Sequence, residues 1–205
     1  SSTDDPDKET VWAAIMAGLK YVWNDPAMRL MFLIIAAINF LFVGPILVGI
    51  PVLANQRLAQ GAVAFGLLMS GFAGGNLVGF LLAGALPKPA GSVMRLFLIA
   101  LLAGFGIVLG LMGFINSVWV DFGLMLLLGL GNGYVTIILF TSIQTRAPQT
   151  MLGRIMSLLM LSSIGLVPVS QAISGAVSTW NLTLLFVSAG GLIVLMTTWT
   201  AFQPA

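Results

Sequence analysis

The amino-acid sequence predicts an all-α membrane protein with six transmembrane helices. Hydrophobic residues make up 59% of the 205 residues and charged residues only 7%, whereas a soluble domain carries roughly 25% charged residues. Apolar runs follow one another along the chain, each near the length of about 20 residues that a helix needs to cross a bilayer. Because backbone groups facing lipid must pair within their own segment, and these runs lack the alternation of barrel strands, we predict helices.

Charged and proline-rich segments divide the chain into the six predicted spans. They cover residues 30–53, 62–86, 94–115, 119–143, 155–177 and 183–202. The connecting loops are short, so consecutive helices are expected to be antiparallel neighbours. Prolines are expected to bend two of the spans: Pro45 and Pro51 lie in the first, and Pro168 lies in the fifth.

A shorter amphipathic helix is predicted before the first span. Within residues 9–24, apolar side chains recur at helical spacing with Lys20 on the opposite face, which is typical of a helix lying at a membrane interface. A solvated linker helix is the alternative. Asp25 and Pro26 suit the N-cap and first turn of the next helix. The chain therefore divides into a cytoplasmic segment, 1–28, and a six-helix transmembrane unit, 29–205.

The distribution of basic residues predicts the orientation of these spans. Seven of the eight Lys and Arg residues fall on one side if six spans alternate, and only Arg57 falls on the other. Because basic residues favour the cytoplasmic side, both ends of the chain and the loops 87–93 and 144–154 are expected to face the cytoplasm. We expect a multi-pass protein of the plasma or inner membrane.

The residue types present exclude several kinds of chemistry. The chain has no cysteine and no histidine, so thiolate chemistry, the usual zinc sites and imidazole acid–base catalysis cannot be assembled. We predict no enzyme activity, no metal, no cofactor and no nucleic-acid surface. Asp121 is the one acidic residue in a predicted span. We interpret it as a charge that is favourable in the first turn of a helix, with ion coupling as the alternative.

Amide side chains at mid-span depth are the candidate pathway residues. Asn39, Asn76 and Asn132 lie near the middle of the first, second and fourth spans, and Gln171 in the fifth span is a weaker candidate. The third span has no polar side chain from residue 96 to 115. Amides are costly in hydrocarbon unless they are paired or wet. The pattern indicates either one wall of a polar path or pairs that join helices, and both interpretations stay open.

Glycine spacing predicts close contacts between helices. The second and fourth spans carry glycines four residues apart, which lets another backbone approach closely. These residues are Gly71, Gly75, Gly79, Gly129 and Gly133.

Residues 144–158 (QTRAPQTMLGRIMSL) resemble the cytoplasmic loop between the tenth and eleventh helices of the major facilitator superfamily. The likeness is greatest to its macrolide-efflux and siderophore-exporter branch, the transmembrane secretion effectors. The motif positions are Gln144, Pro148, Gly153 and Arg154, and Leu152 stands where the branch has an arginine. Residues 17–30 resemble the approach to the seventh helix, and residues 66–84 resemble the eighth.

The resemblance implies the C-terminal half of the superfamily fold. This half consists of two inverted three-helix repeats, preceded by a cytoplasmic interfacial helix from the central loop, with the substrate path between the two halves. The seventh, eighth, tenth and eleventh helices contribute to that path, and they are the four spans that carry Asn39, Asn76, Asn132 and Gln171.

The implied function is secondary active export of hydrophobic or amphipathic small molecules by ion-coupled alternating access. The implied partners are the lipid bilayer, a missing N-terminal six-helix half, a small-molecule substrate and, as one candidate coupling ion, protons. The alternative is a self-contained six-helix membrane scaffold, subunit or homodimeric carrier.

Overall fold

A computed structural model describes residues 11–86 and 91–202. The described residues form helices joined by short turns and contain no strand. In chain order the helices are α1 (Val11–Asn24), α2 (Pro26–Ile38), a π-helical turn (Asn39–Val43), α3 (Gly44–Arg57), α4 (Ala62–Ala85), α5 (Gly91–Met112), α6 (Val118–Arg146), α7 (Gln149–Trp180) and α8 (Leu182–Phe202).

Six of these segments are long and apolar enough to cross a membrane, which confirms the predicted all-helical class and the number of spans. They are Pro26–Arg57, which joins α2, the π turn and α3, followed by Ala62–Ala85, Met94–Met112, Val118–Arg146, Gln149–Trp180 and Leu182–Trp199.

The predicted loop at residues 144–154 is wrong in extent. Helix α6 continues to Arg146 and α7 begins at Gln149, so only Ala147 and Pro148 separate them. The segment 144–154 is rich in Gln, Arg, Met and Leu, which are good helix formers. The helices therefore extend into this polar segment, beyond the apolar residues that predicted the spans. The break falls at Pro148, whose extended backbone (ψ 143°) precedes the first turn of α7.

The helix of the first span begins at Pro26, four residues before the predicted start of the span, and it is capped as predicted. The Asp25 side chain accepts hydrogen bonds from the backbone nitrogens of Ala27, at 2.9 Å, and Met28, at 3.3 Å. Pro26 is the first residue of α2, where its missing N–H costs nothing. The predicted N-cap and first-turn proline are therefore confirmed.

The helix pairs follow the arrangement of two exchanged three-helix repeats. Helix α4 packs along α6, α5 packs along α8, and α3 with the π turn packs along α7. The first repeat consists of the first span, α4 and α5, and the second consists of α6, α7 and α8. The first span then corresponds to α6, α4 to α7, and α5 to α8, so the α4–α6 pair corresponds to the pair of α7 and the first span. The α5–α8 pair maps onto itself. This pattern is the one expected of half of a transporter fold.

The two ends of the bundle carry different residues. The end formed by the last turn of α3 and the first turns of α4, α6 and α8 holds Arg57, and we name it the Arg57 end. The opposite end holds Arg154 in the first turns of α7, and α1 packs there, since Gly18 lies against the Arg154 and Leu158 side chains.

The described part of α1 has a buried side chain and exposed ones. Val22 is buried against the core, whereas Lys20 and Trp23 are exposed. The side chains of Val11, Trp12 and Ile15, on which the predicted apolar face also depends, lie outside the described residues.

Candidate transport pathway

A hydrogen-bonded pair of amides lies at mid-span between α4 and α6. The Asn132 Nδ2 atom donates to Asn76 Oδ1 at 3.0 Å, and Asn76 Nδ2 donates to the Phe72 carbonyl oxygen one turn earlier at 3.4 Å. Both side chains are half-buried. The pair therefore joins two helices without being fully buried.

A seam of glycines brings the α4 and α6 backbones together around this pair. A Cβ atom at Gly75 or Gly79 would lie within 3.0 Å of a backbone carbonyl oxygen of α6, and one at Gly129 or Gly133 would do the same against α4. Gly133 faces the backbone of Asn76 itself. Gly71 continues the seam more loosely, because it faces the ring of Phe122 at 3.0 Å. The close approach of the backbones places the two amides within hydrogen-bonding distance.

Asn39 occupies a different position, at the first residue of the π turn. Its Nδ2 atom donates to the Ile35 carbonyl on the same helix at 3.0 Å, and the side chain is half-buried. The backbone N–H of Gly44 donates to the Asn39 carbonyl, as in a π-helix, and residue 45 is a proline without an N–H. The Phe40 carbonyl thus loses both backbone donors that would ordinarily reach it.

A serine from α7 supplies the missing donor. The Ser170 hydroxyl, which is buried, donates to the Phe40 carbonyl. Gly44 makes this approach possible, because a Cβ atom there would overlap the Ser170 side chain. The first and fifth spans are therefore joined at the π turn by a hydrogen bond that the residue patterns did not predict. Pro45 was the feature of the sequence that could have predicted this bond. A proline removes a backbone donor, so a carbonyl one turn earlier needs a donor from another helix.

Gln171 follows Ser170 on α7 and is half-buried. Its side chain makes no hydrogen bond to a described residue. The structure thus brings Asn76 and Asn132 together, whereas Asn39 and Gln171 belong to the two spans joined at the π turn.

A polar cluster lies at the Arg57 end of the bundle. The Arg57 guanidinium donates through Nη1 to the Gly113 carbonyl at 2.6 Å and through Nη2 to Thr183 Oγ1 at 2.7 Å. The Thr183 hydroxyl donates to the same Gly113 carbonyl at 2.8 Å. These bonds tie α3 to the end of α5 and the start of α8. In the sequence, Arg57 was the one basic residue on the predicted outer side. Its unusual position was the feature that could have indicated a structural contact for its side chain.

Asp121 lies in the first turn of α6, as expected, but its side chain is fully buried. Sequence position alone suggested a charge near water, and the packing of α6 places it inside the bundle. A cluster of three or more acidic, histidine or cysteine side chains that could hold a metal is absent from the described residues.

The loop motif lies at the Arg154 end. Gln144, Pro148 and Gly153 are exposed, whereas Arg154 is half-buried beside α1. Of the four motif residues, Arg154 thus takes part in the contact between α1 and the start of α7.

Six apolar spans in two exchanged repeats, with amides at mid-span and charges at the ends, define a polytopic helical membrane protein. The family profile described as Major Facilitator Superfamily matches residues 1–170 of this chain. The chain belongs to the major facilitator superfamily, and its function is membrane transport. Membership of a transporter family agrees with the expectation that the chain is not an enzyme. No curated protein and no solved structure matches the chain.

Proposed function

We propose that this chain forms one half of an ion-coupled exporter of hydrophobic or amphipathic small molecules, an antiporter that works by alternating access. The first span, α4, α6 and α7 form one wall of the path, and a second six-helix unit supplies the other wall. The observation that carries the proposal is the Asn76–Asn132 pair. Two amides at mid-span that remain half-exposed provide polar atoms where lipid alone would provide none.

The chemistry of the mid-span region supports an apolar or amphipathic substrate. The described middle turns of the spans carry no acidic or basic side chain, and Phe72 lies one turn from Asn76 on α4. The Phe72 ring is half-buried and packs on the buried Phe42 ring of the π turn, with 6.2 Å between the ring centroids. A wall of this kind can accept aromatic and aliphatic groups with a few hydrogen bonds. The direction of transport rests on the resemblance of residues 144–158 to exporters.

The orientation forms part of the same proposal. Every described basic residue except Arg57 lies at the Arg154 end of the bundle, and Arg57 alone marks the other end. The residues at the Arg154 end are Lys20, Arg29, Arg95, Arg146 and Arg154. The positive-inside rule then puts the Arg154 end in the cytoplasm and the Arg57 end outside, in a plasma or inner membrane.

Thiol labelling tests the pathway, because the chain contains no native cysteine. Asn76→Cys and Asn132→Cys are expected to react with a membrane-impermeant thiol reagent and to be protected by ethidium, an amphipathic dye. Leu77→Cys and Leu127→Cys are the matched controls, one on each helix. Their parent side chains are 60% and 56% exposed. We expect these side chains to face lipid, so the cysteines should stay unlabelled. If neither asparagine position reacts in folded protein, the pair only joins the two helices.

A second experiment tests the half-transporter arrangement. Ethidium efflux is measured in cells that make this chain alone, a partner six-helix half alone, or both together. Efflux only from the combination is expected, because one half supplies one wall. Efflux from this chain alone would favour the homodimeric carrier.

A further inference from the structure

An open depression lies at the Arg57 end of the bundle, between the ends of α3 and α5 and the start of α8. It is lined by Arg57, Gly113, Phe114, Asn116 and Thr183, and we name it the Arg57 depression. The Arg57 side chain is half-buried, and its bonds to Gly113 and Thr183 fix it at the wall. The depression therefore holds a positive charge in a defined position.

The Arg57 depression contains hydrogen-bond donors that the protein itself leaves unused. A guanidinium carries more N–H groups than the two through which Arg57 bonds to described residues. Asn116 is exposed, and its amide makes no hydrogen bond to a described residue. A guanidinium and an amide at the same depression are donors suited to the oxygens of a phosphate or a carboxylate.

The surface around the depression favours a negatively charged ligand. The turns at this end, residues 58–61, 113–117 and 181, contain no acidic and no basic residue. Asp121 is the one described acidic residue near this end, and it is fully buried. Arg57 therefore supplies a positive potential that no exposed carboxylate of the described residues opposes.

Exposed aromatic side chains place this end of the bundle at the level of the lipid headgroups. Phe114, Trp119 and Trp180 are 68%, 74% and 84% exposed, and each lies at or beside a helix end. Tryptophan is enriched where a membrane meets water, because its ring is apolar and its N–H is polar. A cation at this depth meets the phosphate groups of the lipids.

The Arg57 depression also borders apolar surface outside the proposed substrate path. Two of its three helices, α5 and α8, are not part of the wall formed by the first span, α4, α6 and α7. Leu111 lies close to Gly113 on α5, and Leu184 is adjacent to Thr183 on α8. These two leucines are 47% and 50% exposed. Acyl chains thus find apolar side chains next to the polar depression.

We propose that the Arg57 depression binds the phosphate group of a membrane phospholipid whose acyl chains lie along α5 and α8. The guanidinium and the Asn116 amide donate to the phosphate oxygens, while Gly113 and Thr183 keep the guanidinium in place. The orientation proposed above assigns this lipid to the outer leaflet. The site depends neither on the transported substrate nor on the direction of transport, so binding measurements decide it separately.

Native mass spectrometry of the full chain in detergent micelles measures lipid binding directly. Phosphatidylglycerol is expected to stay bound, whereas diacylglycerol, which has the same acyl chains and no phosphate, is not. Arg57→Gln should weaken phosphatidylglycerol binding by at least about tenfold, because charged hydrogen bonds to the phosphate are lost. Arg146→Gln, at the opposite end of the bundle, is the control. Equal binding of the two lipids, or equal phosphatidylglycerol binding in the two variants, would overturn the proposal.

Asn116→Asp tests the site without removing the Arg57 bonds. Residue 116 is exposed, so the fold should persist, and the new carboxylate repels a phosphate at the depression. A loss of about tenfold is expected here as well. Gln60→Glu is the matched control, because residue 60 is exposed at the same end, lies outside the lining and undergoes the same change of charge. An equal loss in both variants would refute a defined site.

Photocrosslinking in phosphatidylglycerol liposomes locates the lipid. The photoreactive p-benzoylphenylalanine in place of Phe114 should attach a phospholipid, with a lower yield when Asn116→Asp is present. Leu96, at the other end of α5, is the control position, because it is also 68% exposed. Its yield should not respond to residue 116, and the same response at both positions would contradict the site.

Added inorganic phosphate separates the two sources of a phosphate group. A phospholipid gains affinity from its acyl chains, so crosslinking from residue 114 should be undiminished when inorganic phosphate is present. Loss of the crosslink under that condition would assign the depression to a soluble anion and overturn the lipid proposal.

Discussion

Replacing Gly75 by alanine is expected to destabilise the bundle through the α4–α6 contact. A Cβ atom at residue 75 would lie within 3.0 Å of the Leu126 carbonyl oxygen and the Leu130 nitrogen. Both are backbone atoms, which no change of rotamer can move, so the two helices would have to separate along the glycine seam. Overpacking of this kind costs about 1–3 kcal/mol.

Gly74→Ala is the matched control for this substitution. Residue 74 is adjacent on the same helix, and nothing lies within 4 Å of a Cβ atom built there. Both substitutions gain the same intrinsic helix preference of about 1 kcal/mol, so this contribution cancels in the comparison. Gly75→Ala is therefore expected to have a free energy of unfolding about 1–3 kcal/mol below that of Gly74→Ala.

The measurement is a titration of the purified chain in detergent micelles with sodium dodecyl sulfate, followed by helical circular dichroism. The same comparison can be repeated from the partner helix. There Gly129→Ala meets the Phe72 carbonyl oxygen, and Gly123→Ala meets nothing within 4 Å. Equal stability of the tight and the open variants on both helices would refute the backbone contact.

Three further predictions concern the amide pair, the π turn and the orientation. Asn132→Ala removes the interhelical hydrogen bond and is expected to lower the free energy of unfolding by about 0.6–2 kcal/mol in the same titration. Ser170→Ala leaves the Phe40 carbonyl without its donor, so a loss of about 1–3 kcal/mol is expected, together with faster hydrogen exchange around the π turn. Reporter domains fused after Gln56 and Gln149 are expected on opposite sides of the membrane, with Gln149 in the cytoplasm.

Each of these predictions has a control. Ser157→Ala removes an exposed hydroxyl that bonds within its own helix, and Ser170→Ala should be clearly less stable than it. The double variant Asn76→Ala with Asn132→Ala should lose less stability than the two single losses added, because both remove one shared bond. Reporters on the same side of the membrane would mean that the number of spans between them is wrong.

The number and order of the spans were predictable because apolar length is a direct requirement of the bilayer. The ends of the helices were not. Hydropathy reports which residues prefer lipid, whereas a helix continues for as long as its backbone can bond. The α6 helix therefore continues through polar residues to Arg146 and ends just before Pro148, because a proline disfavours helical geometry in the residue before it.

The depth of the amide side chains along the spans was predictable from the sequence, but their hydrogen-bond partners were not. Amide position and glycine spacing indicated which helices carry polar atoms and which faces are smooth. The rotation of one helix against another decides which amide reaches which, and that depends on packing between segments distant in sequence. The same reason explains Asp121, which is near the start of its helix in sequence and inside the bundle in space.

The π turn also decides the direction in which the Arg57 side chain points. A π turn amounts to one extra residue in an α-helix, and one residue corresponds to a rotation of about 100°. Deleting a single residue within Asn39–Val43 would restore regular α-helical register there, and it would swing the whole of α3 to another face. The guanidinium would then point away from Gly113 and Thr183. One extra residue in the middle of the first span thus sets the direction of the Arg57 side chain at the end of that span.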